Sequence, residues 1–329
     1  MRIARWSEAA GGPVCEGIVI DETVVPFPDG VTVAGLLEEG LDAALALDAS
    51  VREALAAGAV QATPLSAVTL LAPVVPTSIR DFVAFEEHVE GVSAGVEGKS
   101  DVAAEWYEAP TFYFTNPHIV HPTGVVVPIP ETHRLDFELE LAVVVGAVAG
   151  STGENVDVDT AASHIFGYTV MNDWSARDLQ AREMKVRLGP AKGKDFGTTL
   201  GPWIVTADEL APFLDEDGFL AVRAEVYVNG ELVGEDLVSN MGWPFPELVA
   251  YAARNSVVKP GDVLGSGTVG NGGCLGELWG LGRDIPPLEP GDEVRMVIEG
   301  VGEIVNTVGD RIPGPPIPPA RPRPRNRRR

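Results

Sequence analysis

The sequence predicts an α+β fold rich in β-structure, a mixed β-sandwich roll preceded by a small N-terminal domain, and three observations carry that prediction. Between about residues 76 and 311, short runs of β-forming residues alternate with Pro/Gly turns. Few helical stretches lie between them, whereas a doubly wound parallel sheet needs a crossover helix after most strands. Two Pro-Gly-Asp turns, at 260–262 and 290–292, each open a strand.

Taken in order, residues 1–75 form the N-terminal unit. Extended stretches over 3–6, 14–20 and 23–26 precede helical material, and Ser50-Val51-Arg52-Glu53 reads as a capping box opening a helix that ends near Gly58. A strand over 68–73 leads into the main domain, residues 76–311. There the strands fall at 113–115, 124–128, 138–145, 166–172, 203–206, 221–228, 262–266 and 293–298. The main helices are expected at 175–185, capped by Ser175, and at 246–255. The seven-residue spacing of Asp81 and His88 is two helical turns, which would place both on one face. Residues 312–329 are Pro/Arg-rich, carry no acid and cannot pack a core, so the tail reads as disordered.

Composition narrows the function. The 329-residue chain has a formal charge of −24, and six of its 24 basic side chains lie after Arg311, so the body is more acidic still. Such a body repels nucleic acid. No apolar run reaches the length of a membrane span. With only Cys15 and Cys274 there is no disulfide framework and no Cys-rich zinc site, and a reducing cytoplasm is the simplest compartment. His118 and His121 lack a third ligand nearby for zinc.

Three carboxylates carry the chemistry. In Leu135-Asp136-Phe137-Glu138-Leu139-Glu140-Leu141, strand alternation turns Glu138 and Glu140 to one face and Phe137, Leu139 and Leu141 to the other. Two like charges entering an apolar strand repel and are costly to desolvate. A hard divalent cation with oxygen ligands removes that cost; an edge strand with its acids in water is the other reading. Asp173, in Asn172-Asp173-Trp174-Ser175, sits at a strand end. The loop Gly193-Lys194-Asp195-Phe196-Gly197-Thr198-Thr199 lacks the spacing of a phosphate loop, and Gly265-Ser266-Gly267-Thr268 opens a backbone-rich loop reaching Glu277.

In order along the chain, RDFxxFExH, WYxxPxFYFxNP, DFELELAVVVG, NDWSARDLQ, GKDFGTT, GSGTVGNGG with Glu277, and EGVGEIVNTV span residues 76 to 308. Together they closely resemble the fumarylacetoacetate hydrolase family. The resemblance implies a β-sandwich roll, usually a homodimer, with Mg2+ or Ca2+ (or Mn2+) at its mouth. Carried over, it implies Asp81, Glu138, Glu140 and Asp173 as metal carboxylates, with Lys194 and Thr198 orienting their surroundings. It makes His88 and Glu277 the water-activating pair, with Lys194 also offering charge to an oxyanion. Tyr113, Arg177, Gln180 and Thr268 would contact a small-molecule oxo-acid substrate.

The implied activity is hydrolysis of a carbon–carbon bond in a β-dicarbonyl or 2-oxo acid, in catabolism of aromatic compounds. The alternatives are an isomerase or decarboxylase of 2-hydroxy-diene dicarboxylates and a non-catalytic metal-binding scaffold. Two positions depart from the founding tyrosine-degradation enzyme. Glu97 stands where it has an arginine nine residues beyond the base, and Met184 where it has a tyrosine eleven beyond the metal aspartate. Without that cationic clamp and phenol, the sequence points toward an acylpyruvate or ring-cleavage product as much as toward fumarylacetoacetate.

Overall fold

A computed structural model describes the chain except residues 10, 98–101 and 324–329. Among the described residues it contains two large sheets with helices packed around them, the mixed α+β roll that the sequence predicts. The larger sheet runs in the order Thr63–Pro64, Thr23–Pro26, Cys15–Ile20, Arg2–Ser7, Thr198–Thr206, Ile165–Asp173, Leu139–Val145, Val263–Gly265, Ile79–Phe82 and Phe112–Thr115. The smaller sheet runs Glu231–Leu237, Arg223–Val228, Glu293–Ile298, Gly302–Ile312 and Val126–Pro130.

The main core lies between the two sheets. Leu139, Leu141, Val143 and Val145 send their side chains into it from the first sheet, and Ala224, Val226, Met296, Ile298 and Ile304 from the second. The Phe245–Ala253 helix adds Phe245, Leu248, Val249 and Ala252 to the same cluster. On the opposite face Ala142, Val144, Met171 and Ile204 pack against Ile3, Ile18, Val25 and Leu36. The N-terminal segment therefore shares a sheet with the main body: the Arg2–Ser7 strand pairs with Thr198–Thr206. With both faces covered, Leu139–Val145 is buried throughout, as the apolar run from Leu141 onward requires, and Glu140 is buried with it.

Local chemistry corrects four expectations. Ser50 opens no helix: Leu41–Ala56 is one helix, and the Ser50 hydroxyl donates back to the Leu47 carbonyl. Ser175 belongs to a short strand pairing with Leu135–Asp136, and the helix starts after it, at Arg177–Met184. Asp81 and His88 do not share a helix. Asp81 lies on the Ile79–Phe82 strand and His88 on the Glu86–Glu97 helix, because Ala84 N–H is drawn to the Ser266 carbonyl and breaks any helical run. In the tail Ile312 still belongs to a strand, residues 313–323 are exposed without regular structure, and 324–329 lie outside the described residues. No helix among the described residues is long and apolar enough to cross a membrane.

The Pro-Gly-Asp turn at 260–262 does more than reverse the chain. Gly261 takes φ +85°, open to glycine at little cost. Asp262 then accepts from Thr77 Oγ1 (2.6 Å), Ser78 Oγ (2.8 Å), Arg80 Nη1 (3.0 Å) and Lys259 N (3.0 Å). This ties the strand that carries Asp81 to the Val263–Gly265 strand. Asp262→Ala would leave buried Arg80 without its counter-charge, at a cost of about 3–5 kcal/mol. Urea unfolding should show that loss; a change below about 1 kcal/mol would mean the pair contributes little beyond its hydrogen bonds.

Candidate active site

Register across adjacent strands assembles the carboxylates. Asp81 pairs with Gly265, Gly265 with Ala142, Glu140 with Met171, and Asp173 with Thr198. Glu140 continues the row of Ala142 and Val144, Asp81 that of Ile79, and Asp173 that of Met171, all on one face of the sheet. Alternation within each strand thus brings residues far apart in sequence to one point at the strand ends. Glu138 enters beside them, its N–H donating to Asn172 Oδ1 (3.1 Å).

All four are buried: Asp81 2%, Glu138 4%, Glu140 0% and Asp173 0% exposed. The edge-strand reading, with acids facing water, is therefore wrong. Two cations meet part of this charge. Lys194 Nζ donates to Glu138 Oε2 and Asp173 Oδ2, and Arg177 Nη2 lies 2.8 Å from Glu138 Oε1 and 2.7 Å from Asp136 Oδ2. Tyr113, paired with Asp81 across the sheet, donates its phenol to Asp173 Oδ2.

These pairings leave a remainder. Asp81 Oδ1, Glu140 Oε1 and Asp173 Oδ1 are buried without a hydrogen-bond partner. Burial, then the charge of Asp173, pushes the Asp81 carboxyl well up; burial and Asp81 do the same to Glu140. Burial also raises Asp173. Burial opposes ionisation of Glu138 as well, but Lys194 and Arg177 hold it well below the usual carboxylate range. Ligand oxygens of Asp81, Glu138 and Asp173 lie within 4.8 Å of one another, and three orphaned oxygens from three carboxylates fit a hard divalent cation.

Gly265 makes room for this cluster. A Cβ there would stand 2.5 Å from Glu140 Oε2 and 3.0 Å from Asp81 Oδ1. Gly265→Ala should therefore weaken divalent-cation binding by at least about tenfold, near 1.4 kcal/mol, without removing a ligand. Isothermal titration with Mn2+ checks this; unchanged affinity would show that the cation does not use those oxygens.

The other expected residues surround the cluster at different ranges. Thr198 is buried beside Asp173 in the sheet. Thr268 is buried just after Gly267, whose N–H donates to Glu140 Oε2 (3.2 Å). Gln180 accepts from Arg177 Nη1 (3.0 Å), and Arg177 in turn reaches the Glu138 and Asp136 carboxylates. His88 is 8% exposed and held neutral, burial lowering it to about 4. Its Nδ1 lies 3.6 Å from Cys274 Sγ.

Glu277 makes no hydrogen bond with His88. Its Oε1 accepts from Gly272 N (3.0 Å), its Oε2 is buried without a partner, and burial raises it to about 7. It packs instead against the His88 helix one turn further on, where a Cβ at Gly91 would collide with Glu277 Cγ. Of the two departing positions, Met184 is 51% exposed at the end of its helix, and the Glu97 side chain lies outside the described residues.

Two residues that hold the site together escaped sequence reasoning. Asp136 accepts from Leu275 N (2.7 Å) and Gly276 N (2.8 Å), fixing the start of the Leu275–Gly280 helix while it orients Arg177. Cys274 caps that helix through its sulfur, which accepts from Glu277 N (3.3 Å), and meets His88. The Asp136 signal was present in its position two residues before Glu138. Nothing in the Gly-rich loop marked Cys274.

Residues 77–309 match the family model described as fumarylacetoacetate (FAA) hydrolase C-terminal. The chain is 32% identical over 309 residues to the fumarylacetoacetase of Arabidopsis thaliana, covering 77% of this chain and 73% of that protein. It is 30% identical over 250 residues to the oxaloacetate tautomerase YisK of Bacillus subtilis (strain 168), covering 74% of each. The fold matches the crystal structure of maleylpyruvate hydrolase from Sphingobium sp. SYK-6 in complex with manganese(II) ion and pyruvate. That match has a TM-score of 0.68 at 20% identity and covers 95% of this chain and 100% of the other.

Proposed function

Because the chain belongs to the fumarylacetoacetate hydrolase family, we propose that it is a divalent-metal-dependent hydrolase acting on a carbon–carbon bond of a β-dicarbonyl or 2-oxo acid. One observation carries the reading: a buried carboxylate cluster keeps three orphaned oxygens after its two buried cations are paired. Asp81, Glu138, Glu140 and Asp173 would hold the ion, Mg2+, Ca2+ or Mn2+, with Lys194 and Thr198 bracing them. When bound, such an ion would supply positive charge against the negative charge that develops on an oxo-acid substrate.

The chain's own groups account for the rest. His88 is buried and neutral, the form that accepts a proton from water. Glu277 carries an unpartnered oxygen on the element packed against the His88 helix, and a side-chain rotation would orient His88 through it or through one water. Lys194 keeps its proton, because burial is outweighed by Asp173 and Glu138, so it faces a developing oxyanion as a fixed positive charge. Tyr113, whose phenol donates to Asp173, the amides around Thr268, and Arg177 with its partner Gln180 would contact the substrate. The assembly we expect is a homodimer.

A second reading has one observation in its favour. His88 is bonded to Cys274 and faces Glu138, with Glu277 turned to Gly272. That arrangement suits a single proton shuttle, as an isomerase or tautomerase requires, without an attacking water. Metal-stripped protein assayed on acylpyruvates, fumarylacetoacetate and 2-hydroxy-diene diacids, with Mg2+, Mn2+ or Ca2+ restored, separates the two. Two carbon fragments, lost in His88→Ala, are the expected products. An isomerised or decarboxylated product without cleavage would overturn hydrolysis.

A further inference from the structure

A second set of ligands stands beside the carboxylate cluster and differs from it in kind. One nitrogen of His88, the sulfur of Cys274 and one oxygen of Glu138 lie within 4.8 Å of one another. All three residues are buried, at 8%, 0% and 4% exposure. They come from three separate segments: the Glu86–Glu97 helix, the cap of the Leu275–Gly280 helix, and the extended stretch just ahead of the Leu139–Val145 strand. We infer that His88, Cys274 and Glu138 form a site for a thiophilic divalent cation, of which Zn2+ is the type.

The spacing supports it. Zn–S and Zn–N bonds of about 2.3 and 2.0–2.1 Å at a tetrahedral angle put sulfur and nitrogen about 3.5 Å apart. His88 Nδ1 and Cys274 Sγ are 3.6 Å apart. Donor chemistry separates the two sites, because thiolate and imidazole favour Zn2+ whereas an all-oxygen set suits Mg2+ or Ca2+. The surroundings are braced for a ligand role. Cys274 Sγ accepts from Glu277 N at 3.3 Å, and Glu138 is oriented by Lys194 and Arg177. On binding, the Cys274 S–H bond breaks, its proton goes to solvent and one metal–sulfur bond forms, with no change of oxidation state. Three protein ligands leave the fourth position to solvent.

Glu138 is common to both sets, so a thiophilic ion would draw it away from the hard cation and occupy a His88 ring nitrogen. Inhibition of turnover by that route rests on the proposed function; the site itself does not.

Co2+ is the probe, added at one equivalent to the full-length protein with Mg2+ in excess. A thiolate-to-cobalt charge-transfer band should appear, vanish on addition of Zn2+, and be lost in both Cys274→Ser and His88→Gln. Cys15→Ser should keep it, Cys15 being the one other cysteine of the chain. His88→Gln keeps the sulfur and the helix cap, so it decides the matter if Cys274→Ser fails to fold. No band in the wild-type protein, a band that survives either of those two variants, or one lost in Cys15→Ser would overturn the site. A band accompanied by full turnover in the presence of Zn2+ would leave the site standing and remove His88 from the proposed chemistry.

Discussion

Glu140→Gln should raise the melting temperature of the metal-free protein while abolishing both its stabilisation by divalent cations and its turnover. The two effects have opposite sign and one cause. Without an ion, Asp81 and Glu140 are buried side by side, each raised by burial and by acidic neighbours, and among the described residues no cation forms a salt bridge with either. Like charges held together out of water oppose folding. The amide of Gln removes one charge and supplies a donor to the orphaned Asp81 Oδ1. A gain of about 1 kcal/mol, roughly 1–2 °C for a chain of this length, is the expected size for that relief.

The ligand set, however, loses a charged oxygen. Wild-type protein at an ion concentration one hundred times Kd should gain about 2.7 kcal/mol, and the variant almost none. Turnover should fall on the order of 10³-fold, since the ion's charge stabilisation amounts to several kcal/mol. Thermal melts with and without Mg2+ test the first part. A variant that is less stable than wild type without metal, and still stabilised by Mg2+, would show that the pair is not waiting for a cation.

The sequence exposed the parts of this site that depend on local periodicity. Alternation alone put Glu138 and Glu140 on one face and Leu139 and Leu141 in the core, and the Pro-Gly-Asp turns marked the strands that follow them. It failed where long-range pairing overrides local preference. Ser175 looks like a helix cap, but the backbone pairs Ser175 with Asp136 first. Asp81 and His88 have helical spacing, yet Asp81 is fixed by Tyr113 on one side and Gly265 on the other. Cys274 was invisible for a related reason. Its importance comes from a helix 186 residues earlier in the chain, and a lone cysteine in a Gly-rich loop carries no pattern. Family resemblance supplied the residues that no periodicity could connect, Lys194 and Glu277 among them.

Lys194→Met should separate the structural work of that lysine from the catalytic work proposed for it. Its ammonium is 4% exposed, donates to Glu138 and Asp173, and sits 5.8 Å from the Tyr113 ring centroid. Removing one partner of a buried ion pair leaves the other uncompensated, a loss of about 3–5 kcal/mol. In the metal-free variant that loss should appear in full as a lower unfolding midpoint. Adding Mn2+ should then restore more stability than it gives the wild type, because the cation meets two carboxylates freed of a competing positive charge.

Turnover should not return with stability. A point charge facing a developing oxyanion is worth about 2.7–4 kcal/mol, or 10²–10³ in kcat, and Met offers none. The expected protein is therefore well folded with Mn2+, binds it tightly, and turns over at least about a hundredfold more slowly. Recovery of kcat along with stability would confine Lys194 to holding Glu138 and Asp173 in place. An unchanged midpoint without metal would deny it even that, and would mean that the buried carboxylates are protonated rather than paired.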